Sequence, residues 1–355
     1  MVYLRIPFMI LAVVNLLAGL WAGLIRIGWN LPVAPMAVHH GAIMVGGFLA
    51  TLIALEKAIP LKRNLLLVIP LISALSLVMI LPGYFQTGLV FLLVGSIGLF
   101  SIQAYYWYKY PRDLSVALMV MGACCLVVGN AMLIQKQFYP SAFPWWMGFL
   151  LLTITGERLE LSKFLPVSKY NKYFLLSFLF LFIVGIIIPF HGAGKYFSGA
   201  ALICISVWML KHDVISIGLK KDGLTRFSST ALLLANVWLF IEGALMIALP
   251  DSMFSYDILV HSFFIGYAFA MIFAHGPIIL PGVLGITLKP YHPILYAWLF
   301  LVQGSLLLRV FSDAISNLEA RELSGIFLAL GIILYFITLV VLVIRSRYYA
   351  KPAAF

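Results

Sequence analysis

Long apolar runs alternate with short polar breaks along the whole chain. A helix needs about 20 apolar residues to cross the hydrocarbon core of a bilayer. Twelve runs of that kind can be marked out, at residues 6–27, 36–58, 65–81, 83–108, 114–134, 143–155, 173–190, 197–210, 227–249, 254–280, 294–311 and 323–344. The sixth and eighth are short. The breaks carry turn chemistry, as in Leu81-Pro82-Gly83, Tyr110-Pro111-Arg112 and Leu249-Pro250-Asp251, where Pro and Gly interrupt helical pairing. The pattern predicts an all-α polytopic bundle of twelve transmembrane helices, one transmembrane domain over residues 1–355. No soluble domain, long linker or internal repeat is evident. The first run lacks an A-x-A cleavage site, so it is expected to be a spanning helix rather than a removed signal.

Composition sharpens this expectation. Of 355 residues, 64% are hydrophobic and only 10% charged, whereas a soluble domain carries about 25% charged residues. Most of the surface must therefore face lipid, and the expected setting is the inner or plasma membrane of a prokaryote. A net charge of +11 would suit a nucleic acid, but the basic residues stand singly or in small groups between apolar runs. No nucleic-acid partner is expected from that placement. Cys124, Cys125 and Cys204 lie in apolar segments without metal or redox spacing. P-loop, G-x-S-x-G and H-E-x-x-H motifs are absent.

The basic residues also give direction. With the N-terminus in the cytoplasm, Arg26, Lys136, Lys195, Arg309 and Arg321 fall outside, and the other 18 of 23 Lys and Arg fall inside. Among the inner ones are Lys57, Arg112, Lys163, Lys172 and Lys351. Cytoplasmic loops are enriched in Lys and Arg, so both termini are expected in the cytoplasm.

Ionisable groups inside a membrane are costly and mark function. His39 and His40 lie about one turn inside the outer end of helix 2, and His261 lies one to two turns inside the outer end of helix 10. The two sites match in depth. His191 is expected at the outer end of helix 7, Glu242 in the outer half of helix 9, and Arg26 and Arg309 near the outer ends of helices 1 and 11. Neutral imidazole is a regular ligand of haem iron and transition metals. A haem between two helices needs one His from each, cations for its propionates and small residues beside the macrocycle. His40, His261, Arg26, Arg309 and the glycines Gly41, Gly46, Gly47 and Gly266 are candidates for those parts. The alternative is that these histidines reach headgroups and water while the glycines permit tight helix packing. Other transition metals are further candidates for the outer histidines, His191 included.

Toward the cytoplasm, His275 precedes Gly276-Pro277 and follows His261 by 14 residues, about 21 Å along the axis. One metal cannot hold both. His275 is expected to cap carbonyls freed by Pro277. Glu56 and Glu157 share its depth, and with Glu242 they could form a second site or proton relay. Glu157, Arg158, Glu160 and Lys163 resemble an interfacial charge cluster. His212 and His292 sit near helix ends.

The segment His39-His40-Gly-Ala-Ile-Met-Val-Gly-Gly-Phe-Leu resembles the start of the second helix in the NnrS family. The segment from His261 through Gly266 to Met271 is similar to a later helix of that family. The resemblance covers two motifs and the helix count. It implies a twelve-helix membrane protein that binds haem (b-type) and copper, linked to nitric oxide stress. More distantly the chain looks like subunit I of the haem–copper oxidases, whose helices 2 and 10 hold a haem by two histidines. It implies His40 (or His39) and His261 as haem ligands, and a respiratory electron donor or another membrane subunit as partner. Helix 6 has no His, helix 7 offers only His191, and the H-x-H of helix 10 is absent. An oxygen-reducing, proton-pumping centre is therefore not expected. Electron transfer or handling of a diatomic ligand such as nitric oxide is the leading expectation. A small-solute transporter with Glu242 and His275 on its path is the alternative, and a cofactor-free assembly partner of a respiratory complex is a third.

Overall fold

The computed structural model describes residues 5–111, 113–161, 167–285 and 289–349. Arg112, Lys163 and Lys351 fall outside them. Among the described residues there are helices and no strands. The helices are α1 (Ile6–Arg26), α2 (Ala34–Leu61), α3 (Asn64–Ile80), α4 (Phe85–Lys109), α5 (Leu114–Lys136) and α6 (Tyr139–Leu161). They continue as α7 (Lys169–Ile187), α8 (Phe190–His212), α9 (Gly223–Ala248), α10 (Ser255–Val283), α11 (Ile294–Ala314) and α12 (Leu318–Tyr349). A one-turn helix, Ile215–Gly218, lies between α8 and α9.

Each stretch expected to span the membrane falls on one of these helices. Ten of them, among the described residues, are long and apolar enough to cross a bilayer. The shorter apolar α3 and the charge-ended α6 are not among the ten. Large apolar side chains such as Phe174, Phe180 and Ile187 on α7 stand exposed, a surface that water would disfavour and lipid accepts. The lipid bilayer is the environment this chain is built for.

Helix ends follow local chemistry. Asp113 caps α5 by accepting from the Ser115 N–H, satisfying one of the donors a helix start leaves open. The sixth and eighth runs, expected as 143–155 and 197–210, are longer helices of 23 residues each. Their polar and aromatic ends continue the helix rather than closing it. Pro144 sits within α6.

The chain divides into two compact units. One holds α1 to α6 together with Ile186–Gly194; the other holds α7 through Gly185 and the chain from Lys195 through α12. In the first, α2 packs on α1, α3 and α4, and α5 packs on α4 and α6. In the second, α9 packs on α8 and α10, and α11 packs on α10 and α12.

The candidate histidines sit on the two most buried of the ten apolar helices, α2 at 72% and α10 at 61%. Both helices depart from α geometry shortly after them. In α2 the segment Ile43–Ala50, three residues after His40, is a π-helix. In α10 the segment Ser262–Phe269, directly after His261, is one too. Such widened, i→i+5 bonded turns are rare and often mark functional positions.

Candidate functional site

In the first unit, His40 is fixed by α1. Its Nδ1 is 2.7 Å from the carbonyl oxygen of Gly19, and its ring lies over Gly23, where a Cβ would come within 2.9 Å of Cε1. Glycine at 23 is the condition for that approach. A carbonyl can only accept, so Nδ1 carries the hydrogen and the neutral ring keeps its lone pair on Nε2. His39 is held differently. Its Nδ1 is 2.9 Å from the Tyr139 hydroxyl, and its ring stacks on Phe85 with centroids 4.3 Å apart. The adjacent histidines therefore belong to different environments, and His40 is the one oriented in the manner of a metal ligand.

In the second unit, His261 Nδ1 donates to the carbonyl of Asp257, 2.9 Å away, and lies 3.4 Å from that residue's carboxylate. The same tautomer results. Asp257 is the centre of a buried ion network that was not anticipated. Arg309 donates to Asp257 Oδ2 through Nε (2.9 Å) and Nη2 (2.8 Å). Arg321 pairs with Asp313 at 2.7 Å and with Asp257 at 3.5 Å, and its guanidinium lies over the Phe254 ring. Two Asp and two Arg thus balance from three helices. Arg309, expected as a propionate counter-ion, has its charge met here by Asp257 and Asp313. Arg26 is exposed at the last turn of α1. Spacing held the missed signal: Asp257 is four residues before His261, and Asp313 four after Arg309.

The glycines expected beside a macrocycle are covered by protein. A Cβ on Gly47 would collide with Asn15 Oδ1, one on Gly46 would reach Leu92 at 2.8 Å, and one on Gly266 would reach Trp238 at 2.5 Å. These are close helix contacts, and they correct the expectation of open surface at those positions. The donor chemistry of His40 and His261 fits a haem iron. The flat wall expected from Gly46, Gly47 and Gly266 does not exist.

His191 opens α8 rather than ending helix 7; it is exposed, with Nε2 3.1 Å from the Pro140 carbonyl oxygen. Among the described residues no three or more His, Cys, Asp or Glu side chains are grouped to hold a metal ion. His275 Nδ1 donates to Met271 at 2.7 Å. The carbonyl that Pro277 leaves without its helical donor is that of Phe273, and Tyr335 supplies the missing hydroxyl at 2.7 Å. Capping at this kink is thus done by Tyr335, whose ring also stacks on Phe273. Glu56 and Glu157 are bridged by Lys57, 3.0 and 2.8 Å away, so Glu157 belongs to an interhelix ion pair. Glu242 is fully buried in α9, and neither of its oxygens has a hydrogen-bond partner among the described residues.

Residues 5–344 match a protein family described as a domain of unknown function (DUF8744). The chain belongs to that family. Comparison with curated proteins and with solved structures finds no match. Membership spans nearly the whole helical chain, including both histidine-bearing helices and the Asp257 network.

Proposed function

We propose that this is a haem-binding membrane protein, NnrS-like, in which His40 and His261 each supply an iron ligand. One observation carries the reading: each imidazole is anchored through Nδ1 to a backbone carbonyl, that of Gly19 on α1 for His40 and that of Asp257 on its own helix for His261. That bond fixes the ring and its tautomer, with the hydrogen on Nδ1 and the lone pair on Nε2, the tautomer typical of ligating histidines. Haem held by two histidines would supply an iron centre able to exchange an electron; a diatomic ligand such as nitric oxide would bind only where one histidine gave way. Asp257 acts as a positioning residue, since a carboxylate beside Nδ1 makes the imidazole a stronger donor. Arg309 and Arg321 hold that carboxylate in place.

The test is an absorption spectrum of the purified protein, oxidised and dithionite-reduced. Soret and α bands are expected, lost in His261→Ala and His40→Ala and kept in His275→Ala. His39 is tied to Tyr139 and Phe85 and does not stand in for His40. A colourless, metal-free wild-type protein refutes the reading, as does haem that survives His261→Ala but not His275→Ala.

One observation favours a second reading, transport of a small solute. Glu242 is a buried carboxyl without a hydrogen-bond partner, a costly group that marks ion or substrate pathways in membranes. Uptake into vesicles abolished by Glu242→Gln, in a protein without haem, would select it.

A further inference from the structure

The first unit contains a cleft of about 570 Å³ between the first turns of α2, the turn entering α4 and the junction of α5 with α6. All three meet at one end of the unit, where helices terminate. Its lining includes His39, Tyr84, Phe85, Gln86, Gln137 and Tyr139, and none of the residues lining it is Asp, Glu, Lys or Arg. A charged ligand would enter without a counter-ion, at a desolvation cost nothing there offsets. The volume is that of a small-molecule site, where apolar walls are combined with a few placed polar groups.

The polar groups are built in. His39 is stacked on Phe85 at 4.3 Å and bonded through Nδ1 to Tyr139 at 2.9 Å. When the tyrosine hydroxyl is the donor, the neutral imidazole carries its hydrogen on Nε2 and is itself a donor. Gln86, Thr87 and Gln137 add amide and hydroxyl donors to the same lining. Gln137 is the left-handed residue that closes α5, φ 48°, its N–H bonded to the Leu133 carbonyl. The aromatic residues offer faces for stacking a planar ring. Val38 and Tyr84 line the cleft and are also among the exposed large apolar residues, so an apolar tail can leave along them toward lipid.

We propose that this cleft binds the head of a membrane quinone, a neutral planar ring with two carbonyl acceptors and an apolar tail. The carbonyls take hydrogens from His39 and the Gln86 or Gln137 amide, and the ring lies against the aromatic side chains. The site is independent of the haem reading and shares no ligand with it.

The test is titration of the purified wild-type chain in detergent with a short-chain ubiquinone, followed by quenching of intrinsic fluorescence. Saturable binding is expected, weakened roughly tenfold in His39→Phe, which keeps the stacking ring and loses the donor, and similarly in Gln86→Leu. Decylbenzene, equally apolar and without carbonyls, should not compete. Absence of saturable binding, wild-type affinity in both variants, or displacement by decylbenzene overturns the proposal. Helix content by circular dichroism certifies each variant as folded, and any haem spectrum should be the same in His39→Phe as in wild type.

Discussion

The four charges around Asp257 behave as two neutral pairs, and this can be tested by removing one pair whole. Asp257 meets Arg309 at 2.8 Å and Asp313 meets Arg321 at 2.7 Å, with side-chain exposures between 0 and 12%. Arg309→Met leaves two carboxylates facing one guanidinium; Asp257→Asn leaves two guanidiniums facing one carboxylate. Stripping a buried ion of its partner costs about 3–5 kcal/mol, most of it the penalty of the charge left behind. In the double variant Asp313 and Arg321 remain matched, so the loss should be smaller than in Arg309→Met alone. The two changes should therefore be non-additive by several kcal/mol, well above the roughly 0.5 kcal/mol scatter of independent sites. Thermal unfolding in one detergent, read by tryptophan fluorescence, gives the order of the four proteins. Additive losses, with the double variant least stable, would show that the carboxylates and guanidiniums do not share one balance.

Four further outcomes follow from the same contacts. Asp257→Asn should keep haem yet raise its midpoint potential in a redox titration, because a less basic imidazole stabilises ferric iron less; an unchanged potential contradicts the positioning role. Gly266→Ala drives a Cβ to 2.5 Å from Trp238 and should cost about 1–3 kcal/mol, seen as a lowered midpoint of thermal unfolding, while Gly282→Ala, with nothing within 4 Å, should be near neutral. Lys57→Met leaves Glu56 and Glu157 facing each other and should destabilise more than Glu56→Gln, a rank that thermal unfolding also reads. Reporter fusions after Arg63 and Lys172 should read cytoplasmic and those at Asp251 external; a cytoplasmic signal at Asp251 would break the orientation drawn from Lys and Arg.

Apolar run length was enough to locate α1 to α12, though not the one-turn helix Ile215–Gly218, because lipid imposes the same need for internal backbone pairing on each spanning helix. Ends were harder. The run at 197–210 begins only where hydrophobicity becomes continuous, whereas α8 starts at Phe190 through His191-Gly-Ala-Gly. Interfacial residues of mixed polarity are helical without looking apolar. The histidines could be singled out from residue type and depth, but their partners could not. Arg309 looked available because its nearest cation-pairing groups lie on α10 and at the end of its own helix, and spacing alone does not say which way a helix is turned. Lys57 and Glu157 are 100 residues apart, so their pairing is a fact of packing. The π-helical segments left no trace in the pattern, since Ile-Met-Val-Gly-Gly-Phe-Leu-Ala is apolar on every face.

Those two widened segments have a consequence for how the chain tolerates change in length. A π turn holds an extra residue relative to an α turn, so everything beyond it is rotated with respect to what precedes it. In α2 the rotation lies between His40 and the inner residues Thr51, Ala54, Leu55 and Ala58, all buried. In α10 it lies between His261 and the stretch carrying Phe273 and His275. Deleting a single residue from 43–50 or 262–269 would let the helix relax to ordinary pairing, turning one half against the other by about 100°. The ring held by Gly19, or the carboxylate held by Arg309, would then be set against a core facing elsewhere. The extra residue is what lets one continuous helix present its histidine on one face and its packing surface on another.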